Sequence, residues 1–299
     1  RDSYFTAMKS FFSPAKLNLL LSVHGQRDDG FHDLTSLAVG LNFGDTLEIA
    51  FNDKNADFLE SVGDANVVPL DESNLILKTA DLLRKKFGLA QYFDFRLNKR
   101  IPVGSGLGGG SSNAVTALNG MLDLLEIAVE DEQKRSLVAT LGSDCSFFVN
   151  PVPSIMKGRG EIIQSLNDEE QSFFLDKKVV LFKPSFSIST ADAYAHLKPS
   201  DFEEEALALS RIHSFFQDKD YSKLLFNSFW NHTKRKYLAL SLLINTLREE
   251  GVFCNMSGSG SACFALLTSE NESKEERYIK ETVRSALGSD AFIEQVSFL

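Results

Sequence analysis

Pro102-Val-Gly-Ser-Gly-Leu-Gly-Gly-Gly-Ser-Ser-Asn113 places five glycines within positions 104–110 and leads straight into a helical pattern. Glycine lets main-chain N–H groups converge on an anion, and the helix that follows turns the positive end of its dipole toward the same point. The stretch reads as a cradle for polyphosphate. As a ligand-free hairpin it makes little physical sense, because Leu107 alone in that run exceeds serine in size and ordering the glycines brings no packing in return.

Spacing separates the loop families that share this chemistry. A Walker A loop needs Lys and then Ser or Thr after its second glycine, whereas Gly109 is followed by Gly110 and Ser111. Gly104, Gly106 and Gly109 do satisfy G-x-G-x-x-G. The preceding Tyr92–Ile101, however, alternates polar and apolar residues and carries Asp94, Arg96, Lys99 and Arg100, where a dinucleotide fold requires a nearly all-apolar parallel strand. A protein-kinase loop would have valine in place of Ser111, with His-Arg-Asp and Asp-Phe-Gly downstream, and neither tripeptide occurs.

Working outward, 299 residues with 43% hydrophobic content support a large core and suggest two domains. A formal charge of −10 and a pI near 5.1 argue against a nucleic-acid partner, which needs clustered Lys and Arg. A small anionic substrate needs only a local basic pocket, and Lys99 and Arg100 directly precede the loop. Cys145, Cys254 and Cys263 are odd in number and lack ligand spacing, so neither a disulfide framework nor a zinc site is expected. No apolar run reaches the roughly 18 residues that span a bilayer, and residues 1–12 lack the order of a signal peptide. A cytoplasmic protein without a membrane partner is the expectation.

Periodicity predicts strands over Ala15–Val23, Ser36–Leu41 and Thr46–Phe51, the last two separated by a turn at Asn42–Asp45. Asn74–Phe87 reads as a helix ending in Arg84, Lys85 and Lys86 before Gly88. Val115, Leu118, Leu122 and Leu125 continue a helix from the glycine loop, with Ser111 or Ser112 as its cap. Asn150-Pro-Val-Pro-Ser154 marks the domain boundary, giving domains 1–153 and 154–299. Val179–Lys183 is a short apolar strand, and Ala191–Glu250 holds two or three helices. Val252–Ser257 and Ala262–Leu267 flank a second glycine loop, Ser257-Gly-Ser-Gly-Ser261, in a strand–turn–strand pattern.

Three separated motifs, Ser13-Pro-Ala-Lys-Leu-Asn-Leu19, the loop at 102–114 and Asn255-Met-Ser-Gly-Ser-Gly-Ser-Ala262, stand in an order that resembles the GHMP kinases. That resemblance spans almost the whole chain. Gly30-Phe-His-Asp-Leu34, Gly142-Ser-Asp-Cys-Ser-Phe-Phe148 and Gly158-Arg-Gly-Glu161 further resemble the branch that phosphorylates a diphosphocytidyl methylerythritol in the non-mevalonate route to isoprenoid precursors. Phe31 stands where relatives commonly carry Tyr, and Ser146 where Pro is frequent.

The resemblance implies an α+β, two-domain fold, with an N-terminal ribosomal-protein-S5-like α/β domain, a C-terminal α+β domain and the active site in the cleft between them. It implies ATP with Mg²⁺, a small-molecule alcohol as acceptor, and a monomer or weak homodimer. Asp144 and Lys16 match the catalytic pair, Asp144 as the base for the attacking hydroxyl and Lys16 as the group that orients it and stabilises developing charge. Read locally, Asp144 also suits a helix cap and Lys16 a snorkelling strand residue. Asn74, Lys99, Gly104, Ser105, Gly106, Leu107, Gly108, Gly109, Gly110, Ser111 and Ser112 match nucleotide contacts. Asn18, Phe31, His32, Thr190 and Tyr194, with Gly258, Ser259 and Gly260, match the substrate side, His32 and Tyr194 supplying ring faces for cytosine. No carboxylate cluster marks a metal, and His24, His196, His213 and His232 read as ordinary positions. The rivals are a GHMP kinase for another alcohol, which has no use for a ring pair, and a binding protein that has lost turnover, which would lack the base or the loop.

Overall fold

The chain is α+β in a computed structural model that describes residues 8–62 and 68–299. In chain order its elements begin β1 (Lys9–Gln26), β2 (His32–Asn52), β3 (Phe58–Val62), α1 (Leu75–Phe87), β4 (Tyr92–Asn98), α2 (Gly109–Leu124), α3 (Asp131–Val138) and α4 (Cys145–Phe148). They continue β5 (Ser154–Lys157), β6 (Ile162–Ser165), α5 (Asp168–Phe174), β7 (Lys178–Lys183), α6 (Thr190–Ala195), α7 (Glu205–Asp218), α8 (Trp230–Lys236) and α9 (Leu238–Glu249). The last four are β8 (Cys254–Met256), β9 (Cys263–Leu266), α10 (Glu272–Leu287) and β10 (Phe292–Ser297). Contacts group them into two compact units that alternate along the sequence. The first takes the chain up to Ala15, Phe43–Val103 and Gly108–Asn150, and the second takes Lys16–Asn42, Gly104–Leu107 and Pro151–Leu299.

In the first unit β4 pairs antiparallel with the C-terminal half of β2, from Thr46 opposite Asn98 to Asn52 opposite Tyr92, and β3 runs parallel to β4. The alternation in Tyr92–Asn98 buries Phe93, Phe95 and Leu97 and leaves the intervening polar residues outward. The α1 helix forms as its sequence predicts. Asn74 Oδ1 accepts from the Ile76 N–H at its start, and Gly88 adopts the left-handed conformation at its end, after three basic residues that suit the negative end of the dipole. It packs on α2, whose Ala114, Val115, Leu118, Met121 and Leu122 are buried.

Two expectations are corrected here. The turn at Asn42–Asp45 is instead the middle of one 21-residue strand, β2. A Cβ at Gly44 would run into the main chain of Ser13 and stand 2.8 Å from Pro14 Cα, so glycine at 44 serves close backbone approach and not a reversal. Neither Ser111 nor Ser112 caps α2. Its N-cap is Gly108, left-handed at φ 73°, and both serines lie inside the first turn.

The second unit contains a four-stranded antiparallel sheet in the order β10-β7-β9-β8. The continuous apolar run Val179–Phe182 is explained by its place between β10 and β9, fully buried on both faces. Leu240, Leu243, Ile244 and Leu247 of α9 pack with Val180, Phe182, Cys254 and Met256 of this sheet. The N-terminal part of β2 pairs with β5, Ser36 opposite Met156, and β5 with β6. Phe174 stacks on Phe215 at 5.7 Å and meets Phe298 at 6.1 Å, each buried ring contributing about 1.5–3 kcal/mol. Ala191–Glu250 holds four helices, α6 to α9, and not two or three. The α6 and α8 helices have 6 and 7 residues, too few for a helical period to register. Met256 opposite Cys263 closes the expected strand–turn–strand around Ser257–Ser261. Among the described residues no helix is long and apolar enough to cross a membrane.

Candidate active site

In the first unit the site begins with a buried ion pair. The Lys99 ammonium donates to Asp45, which is fully buried, and to Asn113 Oδ1 at 3.1 Å. Asp45 also accepts from the Arg100 and Ile101 amides at 2.7 and 2.8 Å and from Asn113 Nδ2 at 2.8 Å. Burial pulls the Lys99 pKa below the ordinary lysine value, and the charge of Asp45 opposes that pull. The ammonium lies directly against the start of α2, since a Cβ on Gly109 would stand 2.8 Å from Lys99 Nζ.

That helix start carries uncompensated positive partial charge. Gly108 has no side chain to cap the first-turn amides, and no acidic residue occupies the first turn. Three positive features therefore meet at Gly108–Gly110: the amides, the dipole and the neighbouring ammonium. Ser112 Oγ is held 2.9 Å from Ser13 Oγ, which Asn113 Nδ2 also reaches at 2.9 Å. A Cβ on Gly110 would lie 3.8 Å from Leu75 Cδ1, so the start of α1 borders the loop. Asn74 itself spends Oδ1 on its cap and Nδ2 on Pro69 O at 2.7 Å.

Asp144 stands at the N-cap position of α4, yet its carboxylate makes no capping bond to that helix. The loop that carries it lies on the first turn of α2, where a Cβ on Gly142 would be 3.4 Å from both Ser111 Oγ and Cys145 Sγ. Burial pushes the adjacent Cys145 thiol up to about 11, so it is a packing group at neutral pH.

In the second unit Lys16 is 3% exposed, with its ammonium on Asn18 Oδ1 and its N–H on Leu107 O at 3.0 Å. Asn18 is fixed from two more sides, its Nδ2 donating to Ser36 Oγ at 2.7 Å and its N–H to Ser257 Oγ at 3.1 Å. Gly104–Leu107 laces into the second glycine loop. The Ala262 N–H donates to Ser105 O at 2.9 Å, a Cβ on Gly106 would stand 2.5 Å from Ser257 O, and one on Gly258 would stand 2.9 Å from Gly106 O. Both glycines have positive φ, 80° and 57°. Ser259 Oγ lies 3.0 Å from Thr190 Oγ1 at the start of α6, which joins Thr190 to the loop of Gly258, Ser259 and Gly260.

One turn along α6, Tyr194 meets His32 with ring centroids 4.9 Å apart at 35°, and Phe229 supports Tyr194 edge-on at 4.9 Å. Burial lowers the His32 pKa, which favours the neutral imidazole at physiological pH. Phe31 is 49% exposed, under the Arg159 guanidinium at 4.5 Å.

Four contributors were not singled out from the sequence. Asp45 and Asn113 hold Lys99, Ser257 holds Asn18, and Asn227 Nδ2 spans Met256 O and Gly258 O at 2.8 and 2.9 Å. For Asp45 a signal existed, a carboxylate set among Leu41, Phe43 and Leu47, which only a strong partner makes tolerable.

Residues 74–158 match the family model for the GHMP kinases N-terminal domain, and residues 212–284 match that for the GHMP kinases C-terminal domain. A 4-diphosphocytidyl-2-C-methyl-D-erythritol kinase of Prochlorococcus marinus (strain AS9601) is 33% identical over 94% of this chain and 93% of its own. The chloroplastic enzyme of the same name from Arabidopsis thaliana is 41% identical over 62% of this chain and 48% of its own. A crystal structure of 4-(cytidine 5'-diphospho)-2C-methyl-D-erythritol kinase superposes with a TM-score of 0.75 at 28% identity, covering 97% of this chain and 99% of that one.

Proposed function

The chain belongs to the GHMP kinases, in their 4-diphosphocytidyl-2-C-methyl-D-erythritol kinase branch, and from that premise we propose that it transfers the γ-phosphoryl group of ATP to the 2-hydroxyl of 4-diphosphocytidyl-2-C-methyl-D-erythritol. The observation that carries this reading is the start of α2, where uncapped glycine amides and the Lys99 ammonium converge on one point. Phosphate oxygens suit such a convergence of amides and positive charge.

In this reading Gly104–Gly110 with Ser111 and Ser112 hold the donor phosphates, Lys99 offsets their charge, and Asn74 sits beside them through the start of α1. Mg²⁺ accompanies ATP and supplies charge neutralisation between donor oxygens when bound. A serine hydroxyl of the loop or waters would complete the ion's shell, whereas Asp45 is already engaged by four donors. Asp144 takes the proton from the attacking 2-hydroxyl. Lys16, held by Asn18, orients that hydroxyl and stabilises the charge that develops on transfer. His32 and Tyr194, already in ring contact, offer the cytosine one aromatic surface, with Phe31, Thr190 and Gly258, Ser259 and Gly260 as further substrate contacts. A neutral His32 ring suits it to read the edge of an uncharged base.

The reaction belongs to the non-mevalonate route, in a cytoplasmic setting, with 1–153 and 154–299 as the two family halves and a monomer or weak homodimer as the assembly. The deciding experiment incubates the protein with ATP, Mg²⁺ and a panel of alcohols and follows ADP release. Release with the diphosphocytidyl alcohol supports the assignment, and release only with mevalonate or homoserine overturns it.

A further inference from the structure

Asp192 and His196 stand one turn apart on α6 and its C-cap, and His232 approaches them from α8. The two imidazole rings stack with centroids 4.4 Å apart at 27°. One ligand atom from each of the three residues lies within 4.8 Å of the other two, and among the described residues this trio is the one grouping of its kind.

Their other bonds prepare them for a cation. His196 Nδ1 is 2.8 Å from Asp192 O and 3.3 Å from Asp192 Oδ1, which pins the ring beside the carboxylate. Lys236 donates to Asp192 Oδ2 at 3.0 Å and orients the carboxylate. His232 Nε2 is buried without a hydrogen-bond partner, an unsatisfied atom that a metal would satisfy. Two imidazoles and a carboxylate form a borderline donor set suited to Zn²⁺, with solvent in the fourth position.

We propose that Asp192, His196 and His232 bind a first-row divalent cation, Zn²⁺ matching them best, which ties α6 to α8. Lys236 remains on the outer carboxylate oxygen as its orienting partner. Because α6 also carries Thr190 and Tyr194, the clamp fixes the helix that presents them. That consequence rests on the substrate reading above, and the site itself does not.

The test titrates the metal-free protein with Co²⁺ followed by its visible absorbance, and with Zn²⁺ by calorimetry, in the absence of nucleotide and alcohol. Expected are saturable binding of one equivalent, at least ~10-fold weakening in both His196→Ala and His232→Ala, and wild-type binding in Asp144→Asn. Because His196 is exposed, its variant tests the site even where His232→Ala disturbs packing. Absence of saturable binding, wild-type affinity in the His196 variant, or loss of binding in Asp144→Asn would overturn the proposal. Neither ATP nor alcohol is present, so this result and the turnover assay fail or succeed independently.

Discussion

The Lys99 ammonium is held by Asp45 with 8% and 0% of the two side chains exposed, and the same ammonium lies under Gly109 at the start of α2. One ion pair therefore both ties β2 to the segment after β4 and sets a positive charge at the start of α2. Asp45→Asn keeps the shape and removes the charge, leaving a buried lysine uncompensated. Breaking a buried pair in this way costs about 3–5 kcal/mol, which urea unfolding would register as a lower midpoint with an unchanged slope. A midpoint equal to wild type would mean that Lys99 relocates to solvent.

Asp144→Asn tests the base. The amide keeps the shape of the side chain, and the expected melting temperature stays close to wild type. Phosphoryl transfer falls by about 10²–10⁴. Turnover near wild type would move the role to water or Lys16.

His32 gives a pH signature. Its folded pKa is depressed by burial, so as pH falls through the ordinary imidazole range the unfolded chain takes up a proton before the folded one. Its contribution to stability is thus fully present at neutral pH and declines on acidification below about 6.5. Protonation of the folded ring, which comes at lower pH, spoils its neutral face, so KM for the cytidine substrate rises below the ordinary imidazole range with little change in kcat. His32→Phe keeps the ring and removes the titration, and a KM profile that still bends identically in that variant would assign the effect elsewhere.

All three cysteines are buried, and burial pushes the thiols of Cys145 and Cys254 up to about 11. A thiol reagent at neutral pH reacts negligibly with the native chain and with three accessible thiols in denaturant. Fast labelling of even one native thiol would contradict this packing.

Gly258→Val places a β-branched side chain at φ 57° against Gly106 O. Strain of about 1–3 kcal/mol follows, within what the chain tolerates, and the displaced loop raises KM for the acceptor. Kinetics equal to wild type would reduce Ser257–Ser261 to a simple turn.

Much of this was legible in the residues. Asn74 and Gly88 delimit α1 because capping is chemistry within a few positions, and the glycine run announced the start of α2. What stayed hidden depends on distant parts of the chain. Gly44 looked like a turn because nothing local reveals that Ser13 presses against it. Ser111 and Ser112 looked like caps, whereas the left-handed Gly108 begins the helix three residues earlier than a serine cap allows. The partners of Asp45 and Asn18 lie at separations of up to 239 residues, beyond any spacing rule.

Gly106 faces the Ser257 carbonyl oxygen and Gly258 faces the Gly106 carbonyl oxygen, main chain in both cases. Trimming a neighbour cannot make room at either position, since the obstruction is polypeptide that every amino acid shares. A larger residue at either place is thus accommodated only by moving the main chain, so the two loops have to shift together.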